Sequence, residues 1–343
     1  MRDRPIHVSL VAFPDAVVST LTGIYDVLNS FGMLKGFHAS IPPEPPFTIE
    51  IVGQEAPEVM LASGIPVRVH KRCDEVDRTD IIIAPSVILE DGCWRHGRYP
   101  ELTAWIDSMH RQGALLCSAC SGVFLLAETG AFDGREVTVH WGYDAAFRQA
   151  YPRIPVFPEK VLLVSGDANE LVSSGAAMTW HDLVLYLIAR YVGNSAAQAV
   201  ARFFALQWHH DGVTPYVVFK GRTDHRDAAI REVQDWLATK FSVASPVEEM
   251  MRRSGLAERT LTRRFKAATG LSPLAYVQRL RIESAKRLLE DNKLPIDEIA
   301  WRCGYEDPAF FRRLFKRTTG MAPGSFRKRF SIPEFTMALP GTE

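Results

Sequence analysis

Up to about residue 205, short apolar runs alternate with stretches in which apolar residues recur every three or four positions. The runs HVSLVAF (7 to 13), FTIEIVG (47 to 53), DIIIAPS (80 to 86) and GALLCSA (113 to 119) have the length and β-branched content of buried strands. The spacing in TLTGIYDVLNSF (20 to 31) and YPELTAWIDSMHRQ (99 to 112) predicts helices between them. Strand and helix taking turns require crossover connections, so the predicted fold is a doubly wound α/β sheet of mainly parallel strands. KVLLVSG and NELVSSG then read as a hairpin, and MTWHDLVLYLIARYV and SAAQAVARFFALQ as two helices that close the domain at residue 208. Residues 209 to 226 carry turn and polar residues without a period, which predicts a linker.

Beyond residue 226 only the helical period remains, and it repeats. VEEMMRRSGLAERTLTRRFKAATGLSP aligns with IDEIAWRCGYEDPAFFRRLFKRTTGMAP, pairing Gly255 with Gly304, Gly270 with Gly320 and Pro273 with Pro323. The second copy has one more residue in its turn. Each copy predicts a short helix, a glycine turn and a second helix, the helix-turn-helix plan. Leu261 and Phe265 in one copy and Phe311 and Phe315 in the other fall four apart and face a core. Arg259 and Arg263 are also four apart, on another face, with Thr262 beside them. The all-α domain is therefore predicted over 227 to 330, followed by a tail from 331 to 343.

Charge sharpens this division. The chain of 343 residues has no net charge, with 40 basic and 40 acidic residues. Residues 227 to 330 carry 21 Lys and Arg against 13 Asp and Glu, a net of +8, while residues 1 to 226 carry 19 against 25, a net of −6. A basic domain of this kind suits a polyanion, and a solvated basic helix face would give the same excess. No run is long and apolar enough for a signal or a membrane span, which predicts a cytoplasmic protein without a membrane partner. The five scattered cysteines are expected to be free thiols.

The tandem copies, with their RRFK and RLFK cores joined by LAYVQRLRIESAKRLLED, resemble the AraC/XylS transcription regulators over 227 to 330. The resemblance implies recognition helices at 258 to 268 and 308 to 318. Their groove-facing positions would be Arg259, Thr262 and Arg263 in the first, and Ala309, Arg312 and Arg313 in the second. Pro308, Ala309 and Phe310 put no polar group at the start of the second helix, so its contacts are expected with phosphates or thymine methyls. Implied partners are promoter DNA, a second copy in a homodimer, and RNA polymerase if the protein activates.

FPDAVVSTLTGIYDVL, SACSG (118 to 122) and GREVTVHW (134 to 141) resemble the PfpI and class I glutamine-amidotransferase-like superfamily, in the version fused to AraC-type domains in GlxA-type regulators. The implied fold is flavodoxin-like. Hydrolases of that superfamily carry a cysteine on the elbow, here Cys120, and a histidine that matches His140. A cysteine at a helix start meets unpaired N–H groups and the positive dipole end, which lower a thiol pKa; a nearby His140 would permit a thiolate–imidazolium pair. Thr20 stands where many members have an acid, and no third group that would orient the histidine is evident. The expected function is accordingly a non-enzymatic regulator controlled by a small metabolite, an amino acid or betaine by resemblance, held by Thr20, Cys120, His140 and Trp141. The alternatives are a thiol redox sensor, suggested by the C-x-x-C of Cys117 and Cys120, and an amidase-like hydrolase using Cys120 and His140. No metal site or cofactor is expected. Trp180, His181 and Asp182 head a mainly apolar helix, where core packing and ordinary helix-end chemistry are the expectation.

Overall fold

The computed structural model of the chain describes residues 4 to 331 except Ala56, Asp211 and Asn292. Residues 332 to 343, most of the expected tail, lie outside the described residues. The chain divides into two compact units, one ending at Val213 and the other beginning at Thr214.

The first unit is built on β1 (Ile6–Ala12), α1 (Val18–Asn29), β2 (Phe47–Gly53), β3 (Glu58–Met60), β4 (Pro66–Arg68), β5 (Lys71–Arg72), β6 (Ile81–Ala84), α2 (Pro100–Arg111), β7 (Leu115–Ala119) and α3 (Val123–Ala127). It is completed by α4 (Asp144–Ala150), β8 (Leu162–Ser165), β9 (Leu171–Ser174), α5 (Trp180–Tyr191) and α6 (Asn194–Phe204). Seven strands form one sheet in the order β5-β2-β1-β6-β7-β9-β8, while β3 and β4 pair apart from it. Every neighbour pair in the large sheet is parallel except β8 with β9, the expected hairpin. All four residues of β6 and all five of β7 are buried, as strands covered on both faces must be, which explains their unbroken apolar runs. The chain leaves β1 toward β2 on one side and returns to β6 on the other. The carboxyl ends of β1 and β6 therefore flank a topological switch point, where doubly wound sheets open a crevice.

The second unit contains α7 (Ala228–Lys240), α8 (Pro246–Ser254), α9 (Glu258–Thr269), α10 (Pro273–Asp291), α11 (Ile296–Arg302), α12 (Pro308–Thr319) and α13 (Pro323–Phe330). Helices α8 with α9 and α11 with α12 are the two helix-turn-helix copies. Gly255 and Gly304, at φ +64° and +85°, make the turns in the left-handed region that favours glycine. The likeness reaches single hydrogen bonds: Thr269 Oγ1 donates to Phe265 O at 2.8 Å, and Thr319 Oγ1 to Phe315 O at 2.9 Å. Leu261, Phe265, Phe311 and Phe315 are all fully buried, as their spacing predicts.

The stretch 209 to 226, expected as a linker, is distributed between the units. His209 bonds to Asp182 within the first. In the second, Val217 O accepts from Lys286 Nζ at 2.6 Å, and Arg222 O accepts from Gln234 Nε2 at 2.9 Å.

Candidate functional site

The turn after β7 carries Cys120 at φ +55°. A non-glycine residue enters that region at a cost of about 1–3 kcal/mol, and such strain concentrates at functional positions. What holds the turn is visible on both sides of Cys120. Ser121 Oγ donates to Val87 O at 2.7 Å and accepts from Val87 N at 2.9 Å. A Cβ on Gly122 would lie 2.4 Å from Ala84 O and Pro85 O, so only glycine lets the elbow reach the end of β6. Thr20, 2% exposed, donates from Oγ1 to Ser86 Oγ at 3.1 Å. Ser86, Ser121 and the His140 backbone stand near enough to the Cys120 thiol to favour its thiolate. Thr20, Ser86, Cys120 and the His140 main chain thus meet at the carboxyl ends of β6 and β7, beyond the switch point.

The surroundings of the thiol oppose the lowered pKa that a helix start favours. Cys120 is 3% exposed, and burial pushes its pKa up from the ordinary cysteine value, outweighing the hydrogen bonds that favour the thiolate. The helix behind it, α3, is only five residues long and supplies little dipole. The His140 ring is turned to its own loop: its Nδ1 accepts from Gly142 N at 3.0 Å. Burial lowers the imidazole pKa, which disfavours an imidazolium partner. Trp141 lies beside His140 with ring centroids 4.9 Å apart, and Tyr143 is 5.8 Å from His140, so the three form an aromatic group. Cys117 is fully buried in β7 and burial also raises its pKa, so neither sulfur of the C-x-x-C resembles an activated dithiol. Among the described residues, no group of three or more His, Cys, Asp or Glu could hold a metal ion.

In the second unit, α9 presents Arg259, Thr262, Arg263 and Lys266 on one open face, with Leu261 and Phe265 packed behind. Arg264 points elsewhere: its guanidinium donates to both carboxylate oxygens of Asp227, the residue that caps α7, at 2.9 and 2.7 Å. Helix α12 exposes Ala309, Arg312 and Arg313 at the corresponding positions. Asp307, which takes the cap position held by Ala257 in α9, accepts from Ala309 N at 2.7 Å. Arg312 is ion-paired to Asp297 of α11, and Arg313 stands 4.0 Å from Asp307. The two outer faces therefore differ electrostatically: the arginines at 312 and 313 have carboxylates beside them, whereas no ion pair is formed by Arg259 or Arg263 among the described residues.

Comparison with known proteins matches residues 35 to 189 to the DJ-1/PfpI family and residues 250 to 329 to a Helix-turn-helix domain model. The first match spans the elbow and His140, the second both recognition helices. The chain is an AraC-type regulator with a DJ-1/PfpI domain. Among its relatives, the HTH-type transcriptional regulator GlxA of Rhizobium meliloti is 28% identical over 242 residues, covering 67% of this chain and 72% of the relative. The HTH-type transcriptional regulator CdhR of Pseudomonas aeruginosa is 27% identical over 340 residues, or 94% of this chain and 92% of the relative. The fold of the first unit is shared with the crystal structure of a Vibrio parahaemolyticus protein described as a transcriptional regulator, at TM-score 0.50 and 18% identity over 58% of this chain and 99% of that one. The matched helix-turn-helix domain and the relatives named as transcriptional regulators support a DNA-binding regulator.

Three features of the regulator escaped reading from sequence. Ser86 looks like any loop serine, and only the return of the chain beside α1 brings it between Thr20 and Cys120. Asp182 is more than a helix-end acid: buried on α5, it accepts from His209 N at 3.0 Å and pairs with His209 Nδ1 at 2.6 Å. The pair sits in a cavity of about 310 Å³ with Tyr186, Trp208 and His210. Asp297 is one of several acids early in a helix, and nothing in the linear pattern singles it out as the partner of Arg312.

Proposed function

We propose that the protein is a sequence-specific transcription regulator that reads two half-sites with α9 and α12 and is controlled by a small metabolite bound in the α/β unit. The observation that carries the DNA reading is the matched pair of recognition helices, each with a packed aromatic inner face and a cationic outer face, in the basic part of the chain. Arg259, Thr262 and Arg263 read base edges, for which a free guanidinium fork is suited. Arg312 and Arg313 act mainly on phosphates, with Ala309 against the groove.

The metabolite reading is supported by a strained elbow at the switch point with Thr20, Ser86, Cys120 and the His140–Trp141 segment around it. These groups offer hydroxyls, a neutral thiol and aromatic faces, which recognise a ligand without attacking it. A protonated Cys120 and a His140 ring engaged with its own loop favour binding over turnover. The protein works as a homodimer in the cytoplasm and meets RNA polymerase at promoters it activates.

Selection of bound duplexes from a randomised library by the full chain tests the DNA reading. A two-part consensus with steep salt dependence is expected, and the absence of any enriched sequence would overturn it. For the effector, thermal-shift screening of wild type and Cys120→Ser against amino acids and quaternary-ammonium metabolites is expected to find a ligand that raises the melting temperature of the wild type and shifts it less in the variant. Steady hydrolysis of an amide or ester by the wild type, lost in Cys120→Ser, would replace this reading by an enzymatic one.

A further inference from the structure

The apolar interior of the DNA-binding unit is not continuous. Ile230, Met250, Leu261 and Phe265 belong to one cluster, and Ile299, Phe311, Phe315 and Phe326 to another. Helix α10 serves both, giving Tyr276 and Val277 to the first and Ile282, Ala285 and Leu289 to the second. Hydrophobic burial is non-directional, so two cores on one helix do not by themselves define how one recognition helix is set against the other.

Arg281 lies on α10 at the seam and is 9% exposed. Its Nε donates to Phe241 O at 2.9 Å and its Nη2 to Val243 O at 2.7 Å, both in the turn that leads into α8. Its Nη1 donates to Gly304 O at 2.7 Å, in the turn between α11 and α12. The ring of Tyr305 covers the guanidinium carbon at 5.2 Å. The same two turns also touch backbone to backbone, since a Cβ on Gly304 would stand 2.4 Å from Ser242 O. A planar fork with donors at fixed angles thus joins two carbonyls of the turn that leads into the first helix-turn-helix copy to one carbonyl in the turn of the second, which a flexible ammonium could not do in the same geometry.

We propose that Arg281 is a positioning residue that fixes the separation of the two recognition helices, and thereby the half-site spacing the protein accepts. The inference rests on the two-half-site reading above. Rigid linkage gives the second half-site a high effective concentration only at the matching spacing, and a loosened seam trades affinity at that spacing for tolerance of others.

The experiment uses the full chain and duplexes built from the two-part site that the wild type selects: the parent site, versions with two or five base pairs inserted between the halves, and one with a scrambled half. Wild type is expected to lose on the order of a hundredfold in affinity on the five-base-pair insertion, which turns the second half to the opposite side of the helix. Arg281→Met is expected to bind the single-half duplex within about twofold of wild type, while its insertion penalty falls below about tenfold. An undiminished insertion penalty, with affinity lowered evenly on every duplex, would overturn the proposal and leave Arg281 a purely structural residue. Should Arg281→Met not melt cooperatively, Arg281→Lys is measured on the same duplexes. It keeps the charge and loses the fork, and an unchanged insertion penalty in it overturns the proposal equally. Failure of the wild type to select any two-part site is a different outcome, since it removes the DNA reading on which the inference stands.

Discussion

The unequal surroundings of the arginines on α9 and α12 separate a base reader from a phosphate clamp, and three substitutions test that division. Arg263→Ala removes a side chain that can bond a guanine edge with two parallel hydrogen bonds, a contact worth about 1–3 kcal/mol of discrimination, or roughly 5- to 150-fold between right and wrong base. Its effect is expected at one position of one half-site. Arg312 must first leave Asp297, and the two side chains are about half exposed, at 47% and 45%. An ion pair so exposed is worth about 0–1 kcal/mol, so DNA competes for the guanidinium at small cost. Arg312→Ala is then expected to weaken all sequences alike and to lower the slope of log K against log salt by about 0.9, one phosphate contact. Asp297→Asn releases Arg312 in advance and removes a negative charge near the backbone, so affinity is expected to rise by up to about fivefold with base preference unchanged. Fluorescence anisotropy on the selected site and its single-base variants, between about 50 and 200 mM salt, reads all three. Loss of base preference in Arg312→Ala with an even loss in Arg263→Ala would refute the assignment, and weaker binding by Asp297→Asn would refute the account of the ion pair.

The raised pKa of buried Cys120 predicts slow alkylation by iodoacetamide at pH 7.5, well behind exposed Cys93, as followed by peptide mass spectrometry; faster labelling of Cys120 would show an activated thiol. Gly122→Ala forces a methyl group against two carbonyl oxygens, and destabilisation of about 1–3 kcal/mol in urea unfolding is expected; unchanged stability would mean that the elbow yields easily. Arg264 beside Asp227 holds its carboxyl below the ordinary carboxylate range. A folded-state pKa below the unfolded value of about 3.9 gives stability present in full above that pH and lost as the pH falls through the lowered value. Asp227→Asn should therefore flatten the acid limb of the stability profile below about pH 4, and an unaltered limb would show that the pair contributes nothing there.

Much of the architecture was legible because it repeats at short range. The period-four placing of Leu261 with Phe265 and of Phe311 with Phe315, and the glycines at 255, 304, 270 and 320, mark both helix-turn-helix copies within a few residues. The helices begin at Glu258 and Pro308, the starts that the resemblance to the AraC/XylS regulators implies. The runs IIIA and LLCSA declare strands covered on both faces, and a parallel order follows from the helices between them. By contrast β5, two residues long at the sheet edge, and the small β3–β4 pair have no periodicity long enough to detect.

The candidate site divides in the same way. Local sequence determined which residues could matter, since Cys120 on a small-residue turn and the arginines of α9 announce themselves by type and spacing. Tertiary structure decided what each does, because pKa values, ion pairs and orientation depend on groups far away in the chain. A place at a helix start favours a lowered thiol pKa, yet burial raises that of Cys120 and outweighs the polar groups around it. Arg281 shows the same separation: as one basic residue in a basic amphipathic helix it is unremarked in the sequence. It becomes the join between two cores only because the turns at 241 to 243 and at Gly304 fold back to the same point on α10. Periodicity encodes burial, which is a property of a segment; hydrogen-bond partners and local dielectric are properties of the assembled fold.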